Sequence, residues 1–149
     1  MVSLAIDLGG SRAKMALVSD GQAEELVIFP VNGKAPLADT LRTVASHARQ
    51  LLSRAAVLPA CAGLAFPGIV RNGEIISANG KYEDAVDFDW QAWARESLGL
   101  RLHIMNDAAA ALAGEMAFGA GRGWGDAALL MIGTGIGTAA ARDGRILEG

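Results

Sequence analysis

"VSLAIDLGGSRAKMALVSDG", residues 2–21, joins two strand-like runs through a pair of glycines and closes on Asp-Gly. The run 2–8 is apolar and rich in strand formers, Gly9-Gly10 breaks it, and 13–19 resumes an extended pattern. Asp20-Gly21 is a strong hairpin signal, and "EELVIFPV" (24–31) follows as a third strand. The chain thus opens with a predicted three-stranded antiparallel meander, and its first bend is a glycine turn between two strands.

Past the meander the period changes. Leu37, Leu41, Val44, Ala48, Leu51, Leu52 and Ala55 recur at steps of three and four, which predicts a helix near 37–57 between Pro36 and Pro59. A short buried strand (61–66), a hairpin (67–77, bend at Asn72-Gly73) and a helix within 87–99 come next. Asp89 is placed to cap that helix, with Phe88 stapling onto Trp93. A strand (101–105), a helix (108–119), a glycine-rich loop, a strand (127–133), a turn at 134–137 and a hairpin (138–147) complete the order. Antiparallel strands followed by α/β alternation predict a mixed sheet with flanking helices. No internal repeat or long linker stands out.

Composition limits the function classes. The 149 residues suit one domain with a real core, 52% are hydrophobic, and the formal net charge of -3 gives no reason to expect nucleic acid or an anionic membrane. The single cysteine, Cys61, lies in an apolar run and reads as a buried thiol. One Cys and two His provide no Cys-rich zinc site, and His47 reads as a surface residue. There is neither a signal-peptide pattern nor a long apolar span, so the expected location is the cytoplasm.

Two glycine turns carry the chemistry, "DLGGS" (7–11) and "IGTGIGT" (132–138). Glycines at strand ends let backbone N–H groups approach a phosphate closely. Neither turn is a P-loop or a Rossmann turn, since no G-x-x-x-x-G-K-[S/T] occurs and both lie between strands. Singly, each could be an ordinary hairpin. Together, each with a hydroxyl residue, they suit a phosphate chain gripped by two turns of one sheet, as in actin-like, ribonuclease H-like ATPases. Asp7, directly before the first turn, fits either Mg²⁺ held through water or a turn-forming aspartate. Arg12 and Lys14 share one face of the second strand, and either could serve a phosphate or solvent. In "HIMNDAAAALAGE" (103–115), Asn106 and Asp107 fit either a helix cap or a catalytic base with its neighbour.

"AIDLGGSRAKMALV", "GLAFPGIV", "NDAAAALAGE" and "LLMIGTGIGTAAARDGRILEG" resemble, in order and spacing, the ROK family of sugar kinases, glucokinases and sugar-responsive repressors. The resemblance runs over essentially the whole chain. It implies an actin-like lobe and a kinase passing a phosphoryl group from ATP to a hexose hydroxyl. Asp107 would be the base, and Asn79, Asn106, Asp107 and Gly68 would bind the sugar. Gly9, Gly10, Ser11, Lys14, Gly133, Thr134, Gly135 and Gly137 would bind phosphate, and Asp7 would hold Mg²⁺. The first turn departs from the usual G-G-T in ending on Ser11. In the second, Thr138 stands where the family carries a further glycine, a feature shared with its polyphosphate glucokinases, so polyphosphate is an alternative donor. The resemblance also implies that 1–149 is an N-terminal lobe whose C-terminal lobe is absent from this chain, and that the 149 residues alone are poorly active. The expected partners are a small-molecule sugar and a nucleotide, with a homodimer left open. A sugar-sensing repressor domain is the alternative reading. Such a protein would carry a winged helix ahead of the first strand, which the position of Met1 does not suggest.

Overall fold

A computed structural model describes residues 1–133 and 135–148. The opening meander forms as the pattern dictates. Strands β1 (Val2–Leu8), β2 (Arg12–Ser19) and β3 (Gln22–Pro30) pair antiparallel. β3 carries one extra residue opposite the Met15–Leu17 step, where Glu25 adopts a positive φ of 51° as a β-bulge.

Helix α1 (Leu37–Arg54) then crosses over to β4 (Ala62–Phe66), which pairs parallel to β1. Pro36 has no side-chain acceptor for the helix start, so Asp84 accepts the Leu37 N–H at 2.9 Å from a distant loop. The helix ends three residues short of the predicted 57. Beyond it the chain is drawn into the sheet, where the Ala60 N–H donates to the Val2 carbonyl and Leu4 N–H to that of Cys61. A small hairpin, β5 (Ile69–Arg71) and β6 (Glu74–Ser77), bends at Asn72-Gly73 with both φ positive. Helix α2 (Trp90–Leu98) follows, capped as expected by Asp89, whose side chain accepts from the Ala92 N–H. Phe88 does not reach Trp93 as a simple staple; its ring meets Trp90 edge-on, and Trp90 meets Trp93. Strand β7 (Leu102–Asn106) pairs parallel to β4 and runs directly into α3 (Asp107–Phe118).

The sheet order is β3-β2-β1-β4-β7. Alternation puts Leu4, Ile6, Leu8, Met15, Leu64, Phe66 and Ile104 on one face, where α1 and α2 bury them. The other face carries small residues, Ala5, Gly63 and Ala65, with Ala110 and Ala113 of α3 beside them.

The last three strands depart from expectation. β8 (Ala127–Ile132), β9 (Ile136–Arg142) and β10 (Arg145–Ile146) make a separate three-stranded sheet, not part of the first. The two glycine turns therefore belong to two sheets, and the expectation of both at one end of a single sheet is corrected. The reason is α3: it packs on the second sheet and stands between the final meander and the edge strand β7. The backbone also repeats itself where no sequence repeat is visible. Each meander has a glycine turn at its first bend and Asp-Gly at its second, with φ of 50° and 78° at Asp20-Gly21 and 50° and 76° at Asp143-Gly144.

The two sheets differ in what they bury. Leu64→Ala in the first core is expected to cost about 2–5 kcal/mol. Leu130→Ala, at a position 62% exposed, should change stability by no more than about 0.5 kcal/mol. Urea denaturation midpoints of the two variants check this contrast.

Candidate functional site

Three parallel strands, β1, β4 and β7, end at one edge of the first sheet, and ligands of open α/β sheets bind outside such carboxyl ends. Gly9 follows β1, Gly68 follows β4, and Asn106 with Asp107 closes β7.

The first glycine turn is closed by a Gly9 N–H bond to the Arg12 carbonyl at 3.0 Å. A Cβ on Gly9 would stand 2.5 Å from that oxygen, so space alone demands glycine. Three successive carbonyls of the turn are all taken. Tyr82 Oη donates to the Gly9 carbonyl at 2.8 Å, Gly33 N–H to Gly10, and Val31 N–H to Ser11. The amides of Gly10 and Ser11 have no hydrogen-bond partner among the described residues. Such a turn presents donors outward, as an anion site requires. Tyr82 is buried, and that burial pushes its phenol above the ordinary value, partly offset by a hydrogen bond from Thr40.

At the β7 end, the Asn-Asp pair forms the start of α3. Asn106 is the cap of α3: its Oδ1 accepts from the Ala109 N–H at 3.0 Å. Its Nδ2 donates to the Gly68 carbonyl at 2.8 Å and to Asp107 Oδ1 at 3.2 Å. Asp107 Oδ1 also accepts from the Ala108 N–H, while Oδ2 has no partner among the described residues. Gly68 in turn backs onto β6, since a Cβ there would lie 2.3 Å from the Ser77 carbonyl. Ser77 Oγ meets Asn79 Oδ1 at 3.2 Å, and two residues on, Lys81 lies across Gly10. A continuous path of contacts thus leads from Asp107 through Asn106, Gly68, Ser77 and Asn79 to the first glycine turn. Lys81 escaped the sequence reading, because only the fold brings residue 81 to residue 10.

Other expected residues sit differently. Lys14 does not stand free toward a phosphate; its ammonium pairs with Asp7 Oδ2 at 3.1 Å, since the two are cross-strand partners. Asp7 is thus one half-exposed carboxylate with one oxygen engaged, and the described residues hold no group of three metal-ligating side chains. Its other oxygen suits a Mg²⁺ that arrives on phosphates and keeps its waters. Gly133 and Gly135 form a tight turn, with Gly133 N–H donating to Gly135 at 2.9 Å, whereas Thr134 lies outside the described residues. Gly137 is not in that turn but inside β9, and a Cβ there would meet the Ala108 Cβ at 3.4 Å. Its missing side chain lets the second sheet close on the start of α3. Between the sheets lies a cleft of about 820 Å³, lined in part by Ile69, Asn106, Ala109, Leu130 and Thr138. Cys61 is half-buried, not buried, and His47 stacks on Phe29 at 4.1 Å and is not simply a surface residue.

With this geometry in place, comparison with known proteins is direct. The ROK family matches residues 3–149. The chain belongs to the ROK family. An inorganic polyphosphate/ATP-glucomannokinase from Arthrobacter sp. strain KM is 30% identical, with a TM-score of 0.86, over 99% of this chain and 61% of that one. The ROK hexokinase from Thermus thermophilus is 27% identical, with a TM-score of 0.77, over 100% of this chain and 49% of that one. A ROK family transcriptional regulator, a homologue of the E. coli MLC protein, shares the fold at 21% identity and a TM-score of 0.82, over 99% of this chain and 38% of that one. This ROK chain thus spans roughly half the length of the solved structures it matches. No curated protein matches it. No helix among its described residues is long and apolar enough to cross a membrane.

Tyr82 is the chain's single tyrosine, so its titration can be read by absorbance. Because its folded value is raised, stability is fully present below the unfolded value near 10 and falls as pH rises toward the folded one. Tyr82→Phe should lose about 1 kcal/mol at neutral pH, for the bond to Gly9, and should show a smaller alkaline loss. Urea denaturation between about pH 8 and 11 tests both signs.

Proposed function

We propose that residues 1–149 are the N-terminal, sugar-gripping half of a ROK sugar kinase, which passes a phosphoryl group from ATP to a hexose hydroxyl. The observation that carries this reading is Asp107: one carboxylate oxygen is fixed by Ala108 and Asn106, and the other is free at the edge that also holds the first glycine turn. A base needs this combination of fixed direction and unused acceptor. Asn79 and Asn106 hold sugar hydroxyls, with Gly68 as the backbone support of Asn106. Asp107 Oδ2 takes the proton of the attacking hydroxyl. The outward amides of Gly10 and Ser11 stabilise charge on the phosphoryl oxygens, with Gly133 and Gly135 serving the far end of the donor. Mg²⁺, held through water by Asp7, would neutralise charge on the donor phosphates.

A second lobe would complete the cleft. Leu130, Ile132 and Ile136, at 62%, 80% and 75% exposure, form an apolar surface on the second sheet that supports this. Polyphosphate as donor is the second reading, favoured by Thr138 in the cleft and by the 30% identity to a polyphosphate/ATP enzyme.

In the two-lobed enzyme, Asp107→Asn is expected to lower kcat about 10²–10⁴-fold while largely sparing sugar affinity. A coupled assay with ATP and with polyphosphate, alongside calorimetry with hexose, measures this. The 149-residue chain alone should bind sugar weakly and turn over little, because water stays in the half-cleft. Unchanged kcat in the variant would return Asp107 to the role of a helix-start acid.

A further inference from the structure

We infer that Lys81 is the cation that receives the terminal phosphate of the donor at the first glycine turn, an inference that rests on the phosphotransfer reading above. The placement is direct. A Cβ on Gly10 would stand 3.0 Å from both Cδ and Cε of Lys81 and 3.6 Å from its Nζ. The absent side chain of Gly10 is the seat of the lysine stem, and the ammonium is held at the turn itself.

The surroundings make that ammonium an anion ligand. Lys81 has no ion pair among the described residues, whereas Lys14 is spent on Asp7. The carbonyls of Gly9, Gly10 and Ser11 already accept hydrogen bonds from Tyr82, Gly33 and Val31, and no bond from Lys81 to them is formed. The ammonium lies beside Gly10, whose amide, like that of Ser11, has no partner among the described residues, and a cation beside two N–H donors has a phosphate as its natural common partner.

The loop is also held in position. Asn79 and Tyr82 both take a left-handed backbone, with φ of 51° and 56°. The Tyr82 N–H donates to the Gly33 carbonyl at 2.7 Å while its hydroxyl reaches Gly9. Lys81 is therefore clamped through its neighbour to the turn it crosses. Asn79, the proposed sugar ligand, lies two residues away. A phosphoryl group moving from the turn to a sugar at Asn79 passes the Lys81 ammonium, where charge on its oxygens is greatest. An ammonium is a compact point charge, indifferent to whether the terminal phosphates are attached to a nucleoside or to more phosphate. The contact therefore serves a nucleotide and an inorganic phosphate chain alike.

The test is an amide NMR titration of the 149-residue chain with inorganic tripolyphosphate and, separately, with AMPPNP. Both probes should shift the Gly10 and Ser11 amides, and Lys81→Gln should weaken both about tenfold or more. Lys81→Met keeps the apolar stem over Gly10 and removes only the charge, so it should weaken binding equally, and Lys81→Arg should restore part of it. Weakening confined to tripolyphosphate would overturn the claim that the contact serves both donors alike. Unchanged affinity in Lys81→Gln, weakening confined to AMPPNP, or loss with Gln but not with Met would each overturn the inference. So would the absence of any Gly10 or Ser11 shift at millimolar probe. None of these outcomes bears on Asp107, whose role the kinase assay decides separately.

Discussion

Three successive backbone carbonyls, those of Gly9, Gly10 and Ser11, are turned inward and bonded, and much of the site depends on that constraint. Each such bond contributes about 0.5–1.5 kcal/mol net, so the three together resist rotation of the turn's oxygens. With the acceptors fixed inside, the amides must face out, and the electrostatic sign of the rim is set. The same bonds hold the 31–33 and 79–82 segments against the turn. Tyr82 carries two of these links, one from its N–H to Gly33 and one from its hydroxyl to Gly9, which is why so polar a contact lies under a fully buried ring.

The second organising fact is direction. Because β1, β4 and β7 are parallel, positions 9, 68 and 107, far apart in sequence, emerge at one edge. Asn106 then joins two of them with one side-chain amide, spanning Gly68 and Asp107 while its oxygen caps α3. The helix cap and the fixing of the Asp107 carboxylate are thus one arrangement. The helix start that needs an acceptor at its second amide fixes the neighbouring carboxylate as a consequence.

Local chemistry made the opening meander, the Asp-Gly and Asn-Gly bends, the α1 stripe and the Asp89 cap legible, because each depends on residues within one or two turns of each other. Partition of strands between sheets was not legible. Nothing in the alternation of β8 and β9 says which neighbour they pair with, and the interposed α3 decides it. Gly137 reads like a turn glycine by composition, and only its packing on Ala108 shows that it serves a strand. Lys14 reads as a free cation until the β1–β2 register sets it opposite Asp7. Lys81 and His47 are cases of the same kind: their partners, Gly10 and Phe29, lie far off along the chain. The family resemblance named site residues between whose readings local pattern could not choose, but it could not describe what each of them touches.

The seam between α3 and the second sheet has a close approach at two small residues. Ala108 faces Gly137, and alternation places the pairs Ala127 with Ala141 and Leu129 with Ala139 on that same face of the sheet. Close approach is gained there by a missing side chain, while most of β8 stays exposed to solvent. The main core, built from Leu, Phe and Trp, carries most of the heat capacity of unfolding, and the seam adds only a minor share. The second sheet is thus held by less buried hydrocarbon than the first, and the amides of β8 to β10 are expected to exchange with solvent ahead of those in β1 and β4.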